Sequence, residues 1–284
     1  MHLLPLHPGF GRKVLGCDLR AFDSAERFAE LRALFEEHSL LLFPAQHLSD
    51  DEQLSLGRRF GPLEDRVEGR KEAEIAPVSN LDGEAVLEAD DWRLKQLQSN
   101  FLWHTDSTFM PVPALANILQ ARVVSSQGGE TQFASSRVGW RDLDPDLKEA
   151  IRGRKLWHAY AHSRRQIDPA LAERAMFHRW EDQCWTAVIA NPVNGQESLY
   201  IASHAYAVEG MERDAGAALI REILDAVTQP QAIYSHAWQP GDVLIWDERA
   251  ILHRGQPWPF HEARHLASIC VSLQDSDGLQ AMRG

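Results

Sequence analysis

Pro240-Gly241-Asp242-Val243-Leu244-Ile245-Trp246 is a turn followed by an apolar run, and this pattern decides the reading of the second half of the chain. Adjacent Pro and Gly punctuate a turn, and four consecutive apolar residues beyond it fit a strand buried on both faces. Working outward, a last strand is expected from about Arg264 to Leu273. Asn194-Gly195, set between short apolar runs, predicts a hairpin turn into Leu199-Tyr200-Ile201. Far upstream, Leu40-Leu41-Leu42-Phe43 reads as another buried strand, closed by Pro44. Helices fall at the margins. Phe28, Leu31 and Phe35 recur at helical spacing behind a cap at Asp23-Ser24, and Ser49 with Glu52 forms a capping box opening a helix towards Phe60. Asp144-Pro145 begins a short helix, and Ile220, Ile223, Leu224 and Val227 mark one more. Many strands spaced by turns, with helices at the edges, predict a mainly β fold with helical decoration, a sandwich or jelly roll. No repeat or linker divides the 284 residues, so one catalytic domain is expected over 1–284. The charged stretch from about 61 to 98, interrupted by Pro62, Pro77 and Gly83, is expected to be an irregular lid or active-site loop.

Composition narrows the function. Hydrophobic content of 44% and charged content of 25% are those of an ordinary globular protein. A net charge of −12 repels nucleic acid, and the short basic pairs Arg70-Lys71 and Arg164-Arg165 read as solvated surface rather than a phosphate-binding patch. No run approaches the roughly 20 apolar residues of a membrane span, and Pro5 breaks the N-terminal run too early for a signal peptide, so a cytoplasmic protein is expected. Cys17, Cys184 and Cys270 are scattered, which fits reduced thiols and excludes a Cys-based zinc site.

The chemistry is carried by Trp103-His104-Thr105-Asp106. On a strand, residues two apart share a face, so His104 and Asp106 would project together as adjacent ligands of an octahedral metal. His253, in Leu252-His253-Arg254-Gly255, is the leading candidate for a third. Two His and one carboxylate on one face leave the opposite positions open, the arrangement of non-haem Fe(II) oxygenases. The HxD pair alone is a weak signal. His158 and His162, near arginines, are expected to face solvent.

The wider pattern is stronger. The run Asn100 to Phe109 resembles the metal-binding segment of the taurine/2,4-dichlorophenoxyacetate dioxygenase family, and Gly128-Gly129-Glu130-Thr131-Gln132-Phe133-Ala134 resembles the segment just downstream. Pro240 to Arg249 is similar to the strand preceding the distal His, and Arg264 follows His253 by 264 − 253 = 11 residues, as in that family. Glu36-Glu37-His38-Ser39 and Phe60-Gly61-Pro62-Leu63 extend the similarity over nearly the whole chain. The resemblance implies a double-stranded β-helix with Fe(II) on His104, Asp106 and His253, and 2-oxoglutarate and O2 as co-substrates. Arg264 would pair with the distal carboxylate of 2-oxoglutarate through its planar charged fork, Thr131 would add a neutral donor, and Trp246 would lie alongside. The implied reaction converts 2-oxoglutarate to succinate and CO2 while hydroxylating a substrate, with ether cleavage where the hydroxylated carbon bears an ether oxygen. Trp103 to Pro113 is nearest in character to the phenoxyalkanoate dioxygenases, implying a small carboxylate substrate with Asn100 and His204 as contacts. Relatives that bind small anions carry a second Arg four residues after the co-substrate Arg. Here that position is Ser268, flanked on its face by Leu266 and Cys270, so either another cation supplies the grip, with Arg70, Lys71, Arg93 and Lys95 as candidates, or the substrate is bound differently. Relatives commonly associate, so a homo-oligomer is expected. The alternative is a cupin-like protein holding Zn or Ni without oxygenase activity. Thr131 and Arg264, which such a protein does not need, argue against it.

Overall fold

The computed structural model describes residues 1–64 and 75–284. Two sheets face each other. The larger has seven strands in the order His2–Pro5, Arg12–Leu15, Leu40–Phe43, Val243–Asp247, Ala114–Val123, His265–Ser272 and Ala76–Ser79. Its pairings are antiparallel except that of Arg12–Leu15 with Leu40–Phe43. The smaller has three strands, Ile233–His236, Thr131–Ser135 and Ile251–Gly255, also antiparallel. This is the jelly roll that the sequence leads one to expect.

The continuous apolar runs arise because both faces of the large sheet are covered. Leu41, Phe43, Val243, Ile245 and Ile118 point outward into one core with Leu31 and Phe35 of the helix Ala25–His38 and with Leu56 and Phe60 of the helix Asp50–Phe60. Their neighbours Leu40, Leu42, Leu244, Trp246 and Leu119 point inward and meet Phe133 and Ile251 of the small sheet. Adjacent residues on a strand thus serve different cores. Each fully buried Leu or Phe contributes about 1.5–3 kcal/mol. The helices start where their caps stand: the Ser24 hydroxyl accepts from the Arg27 N–H, and Ser49 and Glu52 form the reciprocal box, each such cap stabilising by about 1 kcal/mol. A third core, under the helix Arg213–Val227, includes Ile220, Ile223, Val227, Leu156 and Leu199.

Three expectations are corrected. The described part of 61–98 is not irregular: Ala76–Ser79 is the edge strand of the large sheet, Leu81–Asp82 and Ala85–Val86 form a small hairpin, and Trp92–Gln98 is a helix. Pro77 is tolerated because an edge strand needs no hydrogen bond from it on its open side. His104 does not lie in a strand. It makes one antiparallel bridge with His253, at the free edge of the small sheet, and Ser107 then takes a left-handed conformation (φ 61°) that turns the chain away. His158, expected in solvent, is fully buried, because its strand Lys155–His158 lies between two others.

Among the described residues, no helix is long and apolar enough to cross a membrane. Arg70 and Lys71 lie outside the described residues.

Candidate active site

His104, Asp106 and His253 converge at the open end of the two sheets, their ligand atoms all within 4.8 Å of one another. The single rung supplies the precision: the His104 N–H donates to the His253 carbonyl at 3.0 Å, and the His253 N–H donates back at 2.8 Å. The backbone therefore sets the spacing of the two rings, whose centroids are 4.1 Å apart. The Nδ1 of His104 lies 2.7 Å from the Leu102 carbonyl, an acceptor only, so Nδ1 carries the proton and Nε2 presents its lone pair. Asp106 Oδ1 sits 3.7 Å from that Nε2 and 3.9 Å from the Nε2 of His253. The other carboxylate oxygen, Oδ2, accepts from the Asn117 amide at 2.7 Å and from the Cys270 thiol at 3.3 Å. Two imidazoles and a carboxylate, without a thiolate among them, form a hard donor set of the kind that suits Fe(II) with positions left open. No strand alternation is required to bring them together; the turn at Ser107 and the hydrogen bonds to Asp106 do it.

Glu248 braces the arrangement from beneath. Its Oε2 accepts from the Thr105 hydroxyl at 2.6 Å and from the Asp106 N–H at 2.9 Å, and stands 3.9 Å from His253 Nδ1. Burial, and after it the Asp106 charge, push the Glu248 carboxyl well above the usual carboxylate range.

Two cavities share Asn100, His104 and Asp106. The first, about 100 Å³, also has Thr131, Trp246, His253, Arg264 and Ser268 in its wall. Arg264 is buried, its guanidinium 4.7 Å from the Trp258 ring, with Nε and Nη2 donating to the Gly129 carbonyl at 3.2 and 2.8 Å. Burial lowers its pKa to about 10, so it stays charged at neutral pH. Only glycine fits at 129: φ is +73° and a Cβ would lie 2.9 Å from Arg264 Nε. Thr131 Oγ1 accepts from the Trp238 indole at 3.0 Å, which leaves its own O–H to donate. The Trp246 indole nitrogen is buried without a hydrogen-bond partner, an orphan donor beside this cavity. Ser268 does not face an anion; its hydroxyl donates to Asn117 Oδ1 at 3.1 Å and so helps hold the amide that holds Asp106.

The second cavity, about 160 Å³, is walled by Phe109, Tyr160, Trp180 and His204, with Arg164 at its side. His204 is buried, not at the surface, and burial, followed by the Arg164 charge, holds its pKa well below the ordinary histidine value. Arg164 corrects the expectation of a solvated basic pair: it is buried, whereas Arg165 is exposed. Among the described residues, the candidate cations Arg93 and Lys95 form ion pairs at the surface, Arg93 with Asp91 and Asp82, and Lys95 with Asp168. Arg164 lay hidden in a charged, aperiodic run that gives no sign of burial. Asn117 did leave a sign, as a polar residue inside the apolar strand Ala114–Val123.

The model of the taurine catabolism dioxygenase TauD, TfdA family matches residues 2–270. The chain is 36% identical over 271 residues to the (S)-phenoxypropionate/alpha-ketoglutarate-dioxygenase of Sphingobium herbicidovorans, covering 92% of this chain and 91% of the relative. It is 34% identical over 271 residues to the alpha-ketoglutarate-dependent 2,4-dichlorophenoxyacetate dioxygenase of Cupriavidus pinatubonensis, covering 92% of this chain and 94% of that one. Among solved structures, AAD-2 in complex with Mn(II) and N-oxalylglycine superposes with a TM-score of 0.88 at 29% identity, covering 95% of this chain and 98% of that one.

Proposed function

The chain belongs to the taurine catabolism dioxygenase TauD, TfdA family and is an Fe(II)- and 2-oxoglutarate-dependent dioxygenase, and from that premise we propose that it hydroxylates a small carboxylate of the aryloxyalkanoate type. The observation that carries the proposal is the meeting of two cavities on one His-Asp-His cluster, each with a buried arginine.

In this reading His104, Asp106 and His253 would hold the iron, a fit supported by the hard donor set, while the orphan indole N–H of Trp246 suits an acceptor on the co-substrate. When bound, iron with 2-oxoglutarate and O2 supplies the oxidising power, one oxygen atom entering the substrate C–H bond and the other leaving in succinate beside CO2. The protein's own work is placement. Arg264 receives the distal carboxylate of 2-oxoglutarate with its charged fork, Thr131 donates its O–H to the same group, and Trp246 closes the side. The Asn117 amide and the Cys270 thiol turn Asp106 so that Oδ1 faces the histidines, and the Leu102 carbonyl holds His104 with Nε2 inward. Asn100, common to both cavities, and His204 in the second contact the substrate. Where the hydroxylated carbon bears an ether oxygen, the product collapses with release of the aryl alcohol. The Zn or Ni reading is set aside by the family and by the activities of the relatives.

The test is O2 uptake and succinate release by the Fe(II)-loaded protein with 2-oxoglutarate, with and without (S)-2-phenoxypropionate. The expected result is stimulation by the acid and stoichiometric phenol. Iron-loaded protein that consumes 2-oxoglutarate but yields no phenol from any aryloxyalkanoate would remove the substrate assignment.

A further inference from the structure

We infer that Trp258 is a positioning residue whose indole face fixes the plane in which the Arg264 guanidinium meets the distal carboxylate of 2-oxoglutarate. It presupposes the role proposed above for Arg264. A guanidinium is a flat fork, and it holds a carboxylate bidentately only when the two planes coincide. The long arginine stem has many rotamers, so a fork of this kind needs its plane set by neighbours.

Two contacts set it here. In the plane, Nε and Nη2 of Arg264 both donate to the Gly129 carbonyl, at 3.2 and 2.8 Å, which stops the fork from swinging. These bonds use two of the five N–H groups of a guanidinium and leave one on Nη2 and both on Nη1, the end-on edge that matches a carboxylate. One carbonyl oxygen still lets the fork tilt. The Trp258 ring, its centre 4.7 Å from the guanidinium carbon, removes that freedom and favours the cation on its face.

The sequence builds Trp258 as a fixed wall. Pro257 and Pro259 bracket it and confine the backbone on both sides. The Pro257 carbonyl accepts from the Gly129 N–H at 3.1 Å, and a Cβ at Gly128 (φ +68°) would collide with that same carbonyl, so the ring and the Gly129 carbonyl belong to one clamp. The buried Asn80 amide closes it. Nδ2 donates to the Phe260 and Glu262 carbonyls at 2.8 and 2.9 Å, and Oδ1 accepts from the Arg264 N–H at 2.8 Å. The rings of Phe260 and Phe101 stand nearly perpendicular to the indole, 4.8 and 6.3 Å away. Trp258 itself is buried in the wall of the first cavity. Its indole N–H has no hydrogen-bond partner, so the clamp uses the face of the ring and not its donor.

The experiment is an anaerobic calorimetric titration of the Fe(II)-loaded protein with two probes, 2-oxoglutarate and 2-oxopentanoate. The second keeps the 2-oxo acid but carries a methyl group where 2-oxoglutarate has its distal carboxylate. Wild type is expected to bind 2-oxoglutarate about 100-fold more tightly. In Trp258→Leu the Kd of 2-oxoglutarate is expected to rise about tenfold, that of 2-oxopentanoate by less than about twofold. Trp258→Phe keeps a flat face without the N–H and is expected to stay within about threefold of wild type for both acids. Unchanged 2-oxoglutarate affinity in Trp258→Leu overturns the inference, as does equal weakening of both acids, the mark of a merely structural loss. So does a Trp258→Phe variant as weak as Trp258→Leu, which would assign the effect to the N–H. If Trp258→Leu does not fold, Trp258→Met, flexible and without a ring, takes its place with the same expected values. A wild type that binds both acids alike strikes the role of Arg264 itself and this inference with it; a wild type that prefers 2-oxoglutarate, matched by Trp258→Leu, strikes the inference alone.

Discussion

The two cavities that meet at His104 and Asp106 are built from opposite kinds of sequence. The first draws on regular strands: Thr131 opens Thr131–Ser135, Trp246 lies in Val243–Asp247, and Arg264 immediately precedes His265–Ser272. The second draws on a turn at Phe109, a short helix Tyr160–Arg165 and the loop before Ala205–Val208. A sheet fixes the direction of every side chain once one residue is placed, so a wall of strands suits a co-substrate that never changes. Short helices and loops leave side-chain direction to local packing, and they are where binding preferences are most easily varied. The difference is that secondary structure separates the cavity proposed for the co-substrate from the one proposed for the substrate, with the His-Asp-His cluster as their common border.

That contrast can be broken at several points. At the border, Asp106→Ala is expected to lower substrate-coupled succinate release by at least about 1,000-fold, since a ligand to both functions is lost; near-normal release would dissolve the border altogether. In the first cavity, Arg264→Gln is expected to raise the KM for 2-oxoglutarate about 100-fold while the Kd of (S)-2-phenoxypropionate moves little. Equal effects on both ligands would mean that the cavities are not separate in function.

In the strand Lys155–His158, burial holds His158 down to about 3, below its ordinary 6.5. A depressed histidine stabilises nothing extra above pH 6.5. As the pH falls below that, the unfolded chain takes a proton that the folded chain refuses, so stability is lost progressively towards pH 3. At pH 5 the loss is about 2 kcal/mol. His158→Gln should therefore flatten the fall in Tm between pH 7 and pH 5; a variant with the wild-type slope would show that other groups govern acid sensitivity. The smallest effect is expected at the apolar wall. Phe109→Ala removes one ring of the stacked pair and should raise the KM for an aryloxy acid about tenfold, with the 2-oxoglutarate KM unchanged.

By itself the sequence determined the strands and the helix caps, because burial on both faces of a sheet demands unbroken apolar runs and an N-cap needs a side-chain acceptor at one position. It made His104, Asp106, His253, Thr131 and Arg264 stand out through the resemblance of their segments to one family, since the HxD pair alone is a weak signal. It did not show that His104 sits on a single rung instead of a strand, since one bridge leaves no periodicity. Nor did it show that Arg164 and His158 are buried. The chain neighbours of Arg164 are polar and charged, and its burial comes in part from Phe177, while His158 is buried by the two strands that flank its own, all contributed from elsewhere along the chain. Periodicity reports what an element does to its own two faces; only tertiary packing decides what covers a short, irregular segment and so which of its side chains are buried.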